Sequence, residues 1–360
     1  MDQPAGVSFS YSTNTADYAL NSDTRSAKDQ LTFLLEFLEA VPEFKNRDLW
    51  LTGESYAGVY TPMLAHGILT QAPQQVRDQL KGIMIGNPVF RCIDDEIGDD
   101  FINFNLLYWH GLVSYTDAKA FWKHNCTDEA ARNGYQSVVC DAIVNAISTS
   151  AYLGADFDGD DLYKDTCTGN GTLELTANPP APCADNIGDL ANAYLSDPSV
   201  VAAIHAKPAQ NPSNWAYNQN IGSMLPYYKE LVAQKKRVLV YSGDVDIATV
   251  PFAYTMPCLD LLANRGRRIQ QWTPWSVHGK TAGHFEVYDA YTYATVRGGG
   301  HEVPGFQPLS ASVLVGSFIA NQTLPTLAAP KVPRAPLRPG SPGYFHQSPS
   351  VLFKSQRSPK

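Results

Sequence analysis

The sequence predicts an α/β protein with a mostly parallel central sheet. Strand-like runs at 48–52, 80–85, 237–241 and 291–296 each lead into a loop rich in glycine and polar residues. Helix-like runs stand between them, and the run at 27–44 has the apolar spacing of a helix that packs on a sheet. With 360 residues, 44% of them hydrophobic, the chain is long enough to bury a substantial core.

The hexapeptide Gly-Glu-Ser-Tyr-Ala-Gly at 53–58, a variant of the Gly-x-Ser-x-Gly pattern with Ala57 at the place of the second glycine, stands between the strand-like run 48–52 and a helix-like run at 59–70. In this setting the pattern is the nucleophile elbow of an α/β-hydrolase. We expect its two glycines to allow a sharp turn that exposes the Oγ of Ser55 above the sheet.

Candidates for an acid and a histidine follow in the chain order expected of such hydrolases. Asp244 and Asp246 come after the run 237–241, and His301 comes after the run 291–296 and three glycines. His301 would take the proton of Ser55 during attack on a carbonyl and return it to the leaving group. A buried acid would hold the required tautomer of His301.

Five stretches of the chain match motifs of one known family. They lie at 2–12 (DQPAGVSFSYS), 53–60 (GESYAGVY), 86–88 (GNP), 241–246 (YSGDVD) and 300–304 (GHEVP). Together they resemble the serine carboxypeptidases, α/β-hydrolases that remove C-terminal residues from peptides, and the resemblance covers about residues 2–324. In the family's acid motif the second acid belongs to the catalytic triad, which implies Asp246 rather than Asp244.

The resemblance also implies how a substrate's free carboxylate is recognised. In the family, the Glu before the serine, here Glu54, shares a proton with a second Glu and binds that carboxylate. Because two close carboxyls resist joint ionisation, this implies an acidic pH optimum. The backbone N–H of Tyr56 would donate to the oxyanion. The resemblance further assigns Tyr60 and Glu302 to substrate binding.

The family's segment before the 2–12 motif has no counterpart in this sequence. In the family it carries a second oxyanion donor, the second Glu and early strands of the sheet. We therefore expect an N-terminally truncated member in which those strands are missing. Two alternatives to a carboxypeptidase stay open: a serine-carboxypeptidase-like acyltransferase, because an acyl-enzyme can be released by water or by another nucleophile, and an inactive truncated member.

Charge and composition narrow the choice of partners. The formal net charge is −8, and the first 324 residues hold 21 basic and 35 acidic side chains. This balance argues against nucleic acid or an anionic membrane as the partner of the body. No apolar run approaches the ~20 residues of a membrane span. Peptide or protein C-termini are the expected substrates; neither a cofactor nor a metal is implied, and a homodimer is left open.

Cysteines and glycosylation sequons indicate the secretory pathway, with the vacuole, the lysosome and the cell exterior all open, although no signal peptide is recognised. The sequons begin at Asn125, Asn170 and Asn321. Spacing and the family resemblance pair four cysteines as Cys126–Cys140 and Cys167–Cys183, while their number alone allows three connectivities. The partners of Cys92 and Cys258 are left open.

Four regions are predicted along the chain. Residues 1–110 and 226–324 form the two parts of the hydrolase core, and 111–225 form a mainly helical, disulfide-bearing insertion that caps the active site. Residues 325–360 are rich in proline, and their six charges are all positive. We expect this tail to be disordered.

Overall fold

A six-stranded sheet lies at the centre of the described part of the chain. The computed structural model describes residues 2–92, 99–124, 126, 138–148, 158–164, 187–209, 212–247, 249–263 and 266–327. The strands there are β1 (Asn21–Ser22), β2 (Leu49–Glu54), β3 (Leu80–Gly86), β4 (Tyr217–Asn218), β5 (Arg237–Gly243), β6 (Arg268–Val277), β7 (Lys280–Tyr288) and β8 (Thr292–Val296).

The strand order in the sheet is β2-β3-β5-β8-β7-β6, and the first four strands run parallel. β7 and β6 continue the sheet in antiparallel orientation. The register pairs Glu54 with Gly86, Gly86 with Tyr241, and Gly243 with Val296. The four parallel strands therefore end at one edge of the sheet, where ligands of open α/β sheets usually bind.

The parallel strands agree with the runs predicted from the sequence to within two residues at each end. β3, β5 and β8 are buried almost throughout. Along β5, Val238 and Val240 pack into the core on one face, and Leu239 and Tyr241 pack into the core on the other. This alternation is the period of two of a strand covered on both faces.

The hairpin formed by β6 and β7 has no counterpart among the sequence predictions. β6 is the outer strand of the sheet, and most of its residues are exposed or half-buried. Pro274 lies inside it, and proline is tolerated only on edge strands or at bulges. The strand therefore lacks the apolar pattern by which the inner strands were predicted.

Helices cover both faces of the sheet. The helices of the described residues are α1 (Asp23–Ala40), α2 (Ala57–Gln71), α3 (Gln74–Gln79), α4 (Asp99–Trp109), α5 (Tyr115–Lys123), α6 (Val138–Ser148), α7 (Ile187–Ser196), α8 (Pro198–Ala203), α9 (Leu225–Ala233), α10 (Phe252–Ala263), α11 (Val303–Phe306) and α12 (Pro308–Ile319), of which α4–α6 pack into a core of their own. One core joins the sheet to α1, α2, α9 and α10, and a second core joins its other face to α12. No helix in the described residues is long and apolar enough to cross a membrane.

Two disulfides link described residues. Cys126 and Cys140 are joined, which is the pairing expected from spacing and resemblance. Cys92 and Cys258, which the sequence left open, are joined across 166 residues. The predicted bridge Cys167–Cys183 lies outside the described residues. The region boundaries at 110 and 225 stay predictions.

The first residues of the predicted C-terminal tail contact the outer strand of the sheet. Pro325 accepts a hydrogen bond from the backbone N–H of Ser276 at 2.8 Å, and Thr326 forms a bridge with Trp275. These contacts attach the chain to β6 beyond the predicted boundary at 325. Residues 328–360 lie outside the described part.

We predict that the long-range disulfide stabilises the fold more than the short-range one. Loop-closure entropy gives about 5 kcal/mol for a loop of Cys92–Cys258 size and about 3 kcal/mol for Cys126–Cys140. The double variant Cys92→Ala/Cys258→Ala should therefore lose more thermal stability than Cys126→Ala/Cys140→Ala. Differential scanning calorimetry measures both, and a larger loss in the Cys126/Cys140 variant would contradict the prediction.

Candidate active site

Ser55 occupies a strained turn between β2 and α2. Its φ is +60°, which for a residue other than glycine costs on the order of 1–3 kcal/mol and persists only where the surroundings hold it. The backbone supplies that hold. The N–H of Ser55 donates to Gly86 O at 2.9 Å, and its carbonyl accepts from the N–H of Gly58 and of Val89, both at 2.9 Å.

The two glycines of the elbow serve close packing rather than unusual dihedrals, which corrects the sequence expectation. The positive φ belongs to Ser55 itself. A Cβ on Gly53 would lie 2.3 Å from the Cβ of Ala57, and a Cβ on Gly58 would lie 2.4 Å from the carbonyl oxygen of Val89. A side chain at Gly53 would therefore force β2 and α2 apart, and one at Gly58 would force α2 away from the loop after β3.

Asp246 lies in the loop after β5 and has no solvent-exposed surface. Its carboxylate accepts hydrogen bonds from the N–H of Thr249 at 3.0 Å, the N–H of Val250 at 3.1 Å and the side-chain amide of Asn87 at 2.9 Å. Burying a carboxylate is costly unless hydrogen-bond donors replace its lost hydration. Here two donors come from its own loop and one from the loop after β3.

His301, in the loop after β8, is buried and contacts the same carboxylate. The distance from its Nδ1 to Oδ2 of Asp246 is 2.7 Å. Its backbone N–H donates to the carbonyl of Asp160 at 2.6 Å. Burial lowers the pKa of His301, but the hydrogen bond and charge of Asp246 outweigh burial, and the charges of Asp160 and Glu54 add to them, so the pKa is raised.

Asp244, the other acid of its motif, faces a different partner. Its carboxylate accepts from the backbone N–H of Gly298 at 2.7 Å. Burial raises the pKa of its carboxyl. It therefore ties the loop after β5 to the loop after β8, and among the described residues the contact to His301 is made by Asp246.

Asn87 is the residue of this site that sequence reasoning missed. Its side chain is fully buried; the amide donates to Asp246 and to Val250 O, and the carbonyl oxygen accepts from the N–H of Gly243 at 3.0 Å. The sequence showed Asn87 only as the middle of a Gly-Asn-Pro turn. Its placement directly after a predicted strand, beside two other strand ends, was the available signal.

Ser55 and His301 lie at the same sheet edge, after β2 and β8. The described residues contain no hydrogen bond between the Ser55 hydroxyl and the His301 ring, and catalytic hydrogen bonds often tighten only when substrate binds. Glu54, which directly precedes Ser55, is electrostatically coupled to His301, since its charge raises the pKa of His301. For the backbone N–H of Tyr56 the described residues provide no protein acceptor.

Three further residues were predicted to contact substrate. Glu54, the last residue of β2, is half-buried, and burial raises the pKa of its carboxyl; the charge of His301 opposes this and that of Glu302 adds to it. Tyr60 packs edge-on against Tyr56, with ring centroids 4.9 Å apart. Glu302 is exposed and precedes α11.

Some of the remaining predicted positions lie within the described residues, and others lie outside them. Asn321 is exposed just after α12. Asn125 and Asn170, like Cys167 and Cys183, lie outside the described residues. No group of three or more His, Cys, Asp or Glu side chains in the described part is arranged to hold a metal ion.

The fold and the arrangement of Ser55, Asp246 and His301 are typical of serine hydrolases with an α/β sheet. Comparison with known proteins identifies the family within that class. The sequence profile of the family described as serine carboxypeptidase matches residues 1–321. Serine carboxypeptidase-like 22 of Arabidopsis thaliana is 33% identical, over 90% of this chain and 72% of that protein. Serine carboxypeptidase-like 40 of the same plant is 34% identical, over 90% of this chain and 64% of its own length.

A solved structure has the same fold. Kex1(delta)p, a prohormone-processing carboxypeptidase from Saccharomyces cerevisiae, superposes with a TM-score of 0.60 at 19% identity, covering 89% of this chain and 73% of that one. The predicted α/β-hydrolase fold is thereby confirmed. With the profile match and the relatives above, the chain belongs to the serine carboxypeptidase family, a family of hydrolases.

We predict that Asn87→Ala impairs both stability and turnover. It leaves the N–H of Gly243 unpaired and removes one donor from the buried carboxylate of Asp246, at a cost of about 1–3 kcal/mol in the free energy of unfolding. Misplacement of the acid should lower kcat/KM roughly tenfold to a hundredfold. Thermal unfolding and peptide hydrolysis measure the two effects.

Thr255→Val is the matched control for that variant, because the Thr255 hydroxyl is buried without a hydrogen-bond partner among the described residues. Its loss should leave kcat/KM unchanged. Equal losses of activity in both variants would contradict the role given to Asn87.

Proposed function

We propose that this chain is a serine-type carboxypeptidase in which Ser55, His301 and Asp246 are the catalytic residues. The observation that carries the proposal is the buried Nδ1–Oδ2 contact of 2.7 Å between His301 and Asp246, at the sheet edge where the strained Ser55 also lies. Membership of the serine carboxypeptidase family supports it independently.

The residues act in two half-reactions. Ser55 Oγ attacks the carbonyl carbon of the last peptide bond while Nε2 of His301 takes its proton. Asp246 stabilises the resulting imidazolium through Nδ1–H, and the N–H of Tyr56 donates to the oxyanion. Collapse of the tetrahedral intermediate breaks the C–N bond, and His301 protonates the departing amine of the terminal amino acid. Water then hydrolyses the acyl-enzyme with His301 as base.

Glu54 supports selection of a terminal rather than an internal bond. The burial that raises its pKa lets its carboxyl keep the proton to higher pH than an ordinary Glu, and the protonated carboxyl can donate a hydrogen bond to the substrate carboxylate. Protonation also removes one charge that raises the pKa of His301, so the imidazole stays neutral to lower pH. Both effects favour acidic conditions. Tyr60 and Glu302 are the further substrate contacts of this proposal, and the charge of Glu302 adds to the raised pKa of Glu54.

The proposed substrates are peptide C-termini, and the proposed setting is an oxidising secretory compartment: the vacuole, the lysosome or the cell exterior. The two disulfides and the exposed sequon at Asn321 support that setting. An acyl-enzyme could also pass its acyl group to an alcohol. The comparisons give that alternative no better support than hydrolysis.

The first prediction of this proposal concerns labelling of Ser55. A fluorophosphonate should phosphonylate the full chain at mildly acidic pH, with fluoride as leaving group, and Ser55→Ala should abolish labelling. Ser8→Ala is the matched control, because Ser8 also has a positive φ of 47° but lies outside the candidate site. Persistent labelling of Ser55→Ala, or a folded parent chain that stays unlabelled, would contradict the proposal.

The second prediction concerns the pH dependence of KM for a blocked dipeptide. A raised pKa means that Glu54 keeps its proton to higher pH than an ordinary Glu, and loses the donor as pH rises through that pKa. KM should therefore increase with pH in the parent chain. In Glu54→Gln, whose amide does not titrate in this range, KM should stay nearly level.

Two controls accompany that experiment. The exposed Glu36→Gln variant should keep the pH dependence of the parent chain. A dipeptide amide, which lacks the carboxylate, should show a KM independent of pH. A KM for the dipeptide acid that rises equally in Glu54→Gln and in the parent chain would exclude Glu54 as the recognising group.

A further inference from the structure

A second buried carboxylate, that of Asp23, lies behind the nucleophile elbow. Asp23 is in the first turn of α1 and has no exposed surface. Its Oδ1 accepts from the hydroxyl of Tyr56 at 2.7 Å and from the hydroxyl of Tyr217 at 3.0 Å. Its Oδ2 accepts from the N–H of Ile221 at 3.1 Å and faces Nη1 of Arg91 at 3.4 Å.

The hydroxyl of Tyr56 is held from two sides. It donates to Asp23 and accepts from Nη2 of Arg91 at 2.9 Å. The guanidinium carbon of Arg91 also stands 5.1 Å from the centre of the Tyr56 ring. With its hydroxyl engaged as both donor and acceptor, the ring has one favourable orientation.

Arg91 and Asp23 form a nearly dry pair. The side chain of Arg91 is 11% exposed and that of Asp23 is 0% exposed. Arg91 is itself fixed by hydrogen bonds to the carbonyl of Ile221 at 2.8 Å and to the side chain of Gln219 at 2.6 Å. The pair is neutral overall and its groups are hydrogen-bonded. It therefore orients the Tyr56 side chain rather than adding a net electrostatic field at the site.

Tyr56 directly follows Ser55, whose positive φ must be held by its surroundings. The backbone of Ser55 is tied to Gly86, Gly58 and Val89. The backbone carbonyl of Tyr56 accepts from the N–H of Val59 at 2.9 Å and from that of Tyr60 at 3.3 Å, and the contacts of its hydroxyl hold the side chain of the same residue. The fixed ring therefore adds to the backbone bonds that orient the peptide between Ser55 and Tyr56, which carries the N–H of the oxyanion site.

We propose that Asp23, together with Arg91, is a positioning residue for the hydrolytic reaction, acting through the Tyr56 hydroxyl to aim Ser55 and the Tyr56 N–H. This inference rests on the proposed function of Ser55. Neither Asp23 nor Arg91 contacts the reacting atoms. Their role is to restrict the elbow to the geometry in which attack and oxyanion binding coincide.

The test compares Tyr56→Phe with Tyr217→Phe in the full chain. Each variant removes one hydroxyl from the same oxygen of Asp23, but only Tyr56 lies on the elbow. Tyr56→Phe should lower the fluorophosphonate rate constant and kcat about tenfold, with KM within about twofold. Tyr217→Phe should keep both rates within about twofold of the parent chain, with a similar change in melting temperature.

Each outcome decides the inference. A selective loss of rate in Tyr56→Phe supports it, and so does a loss of kcat without change of KM in a folded Asp23→Asn variant. Equal rates in both tyrosine variants, or losses that follow melting temperature alone, overturn it while leaving the proposed function intact. A folded parent chain that shows no labelling overturns both, whereas labelling of the parent that Tyr56→Phe does not slow removes only the positioning role.

Discussion

The candidate site depends on one constraint: a buried negative charge is costly unless hydrogen-bond donors compensate it. Asp246 has no contact with solvent, so its carboxylate must find donors inside the protein. They come from Asn87 after β3, from the backbone of Val250 and from His301 after β8. Because these donors must all reach one group, the carboxylate sets the spacing of three strand-end loops. It also contacts Nδ1 of His301, which in the proposed mechanism leaves Nε2 for Ser55.

The charges around His301 connect the proposed recognition of the substrate carboxylate to the proposed role of His301 as base. Asp246, Asp160 and Glu54 all raise its pKa, against the opposing effect of burial. Of these, Glu54 has a raised pKa itself, again because of burial. In the proposed mechanism, protonation of Glu54 would provide a hydrogen-bond donor for a substrate carboxylate and would remove a charge that raises the pKa of His301. One titration would then serve both substrate recognition and the base.

How much of the fold could be predicted depended on burial. Continuous apolar runs predicted β3, β5 and β8 to within two residues, because strands covered on both faces exclude polar side chains. The edge hairpin of β6 and β7 lacked that pattern and was missed. Candidates such as Ser55 and His301 could be found because strand-end loops show their residue types directly. The strand-end position of Asn87 was equally visible, but its role was missed because its partner Asp246 lies 159 residues away in the sequence.

By itself the sequence determined the parallel strands, the elbow and the candidate nucleophile, acid and base, because strand pattern and local motifs are short-range properties of the chain. Only the tertiary structure decided which donors surround Asp246, that Cys92 pairs with Cys258, and that Asp23 meets Tyr56. These contacts join segments far apart in sequence. Their existence depends on how the strands are ordered and where the loops converge, and no local pattern encodes that order.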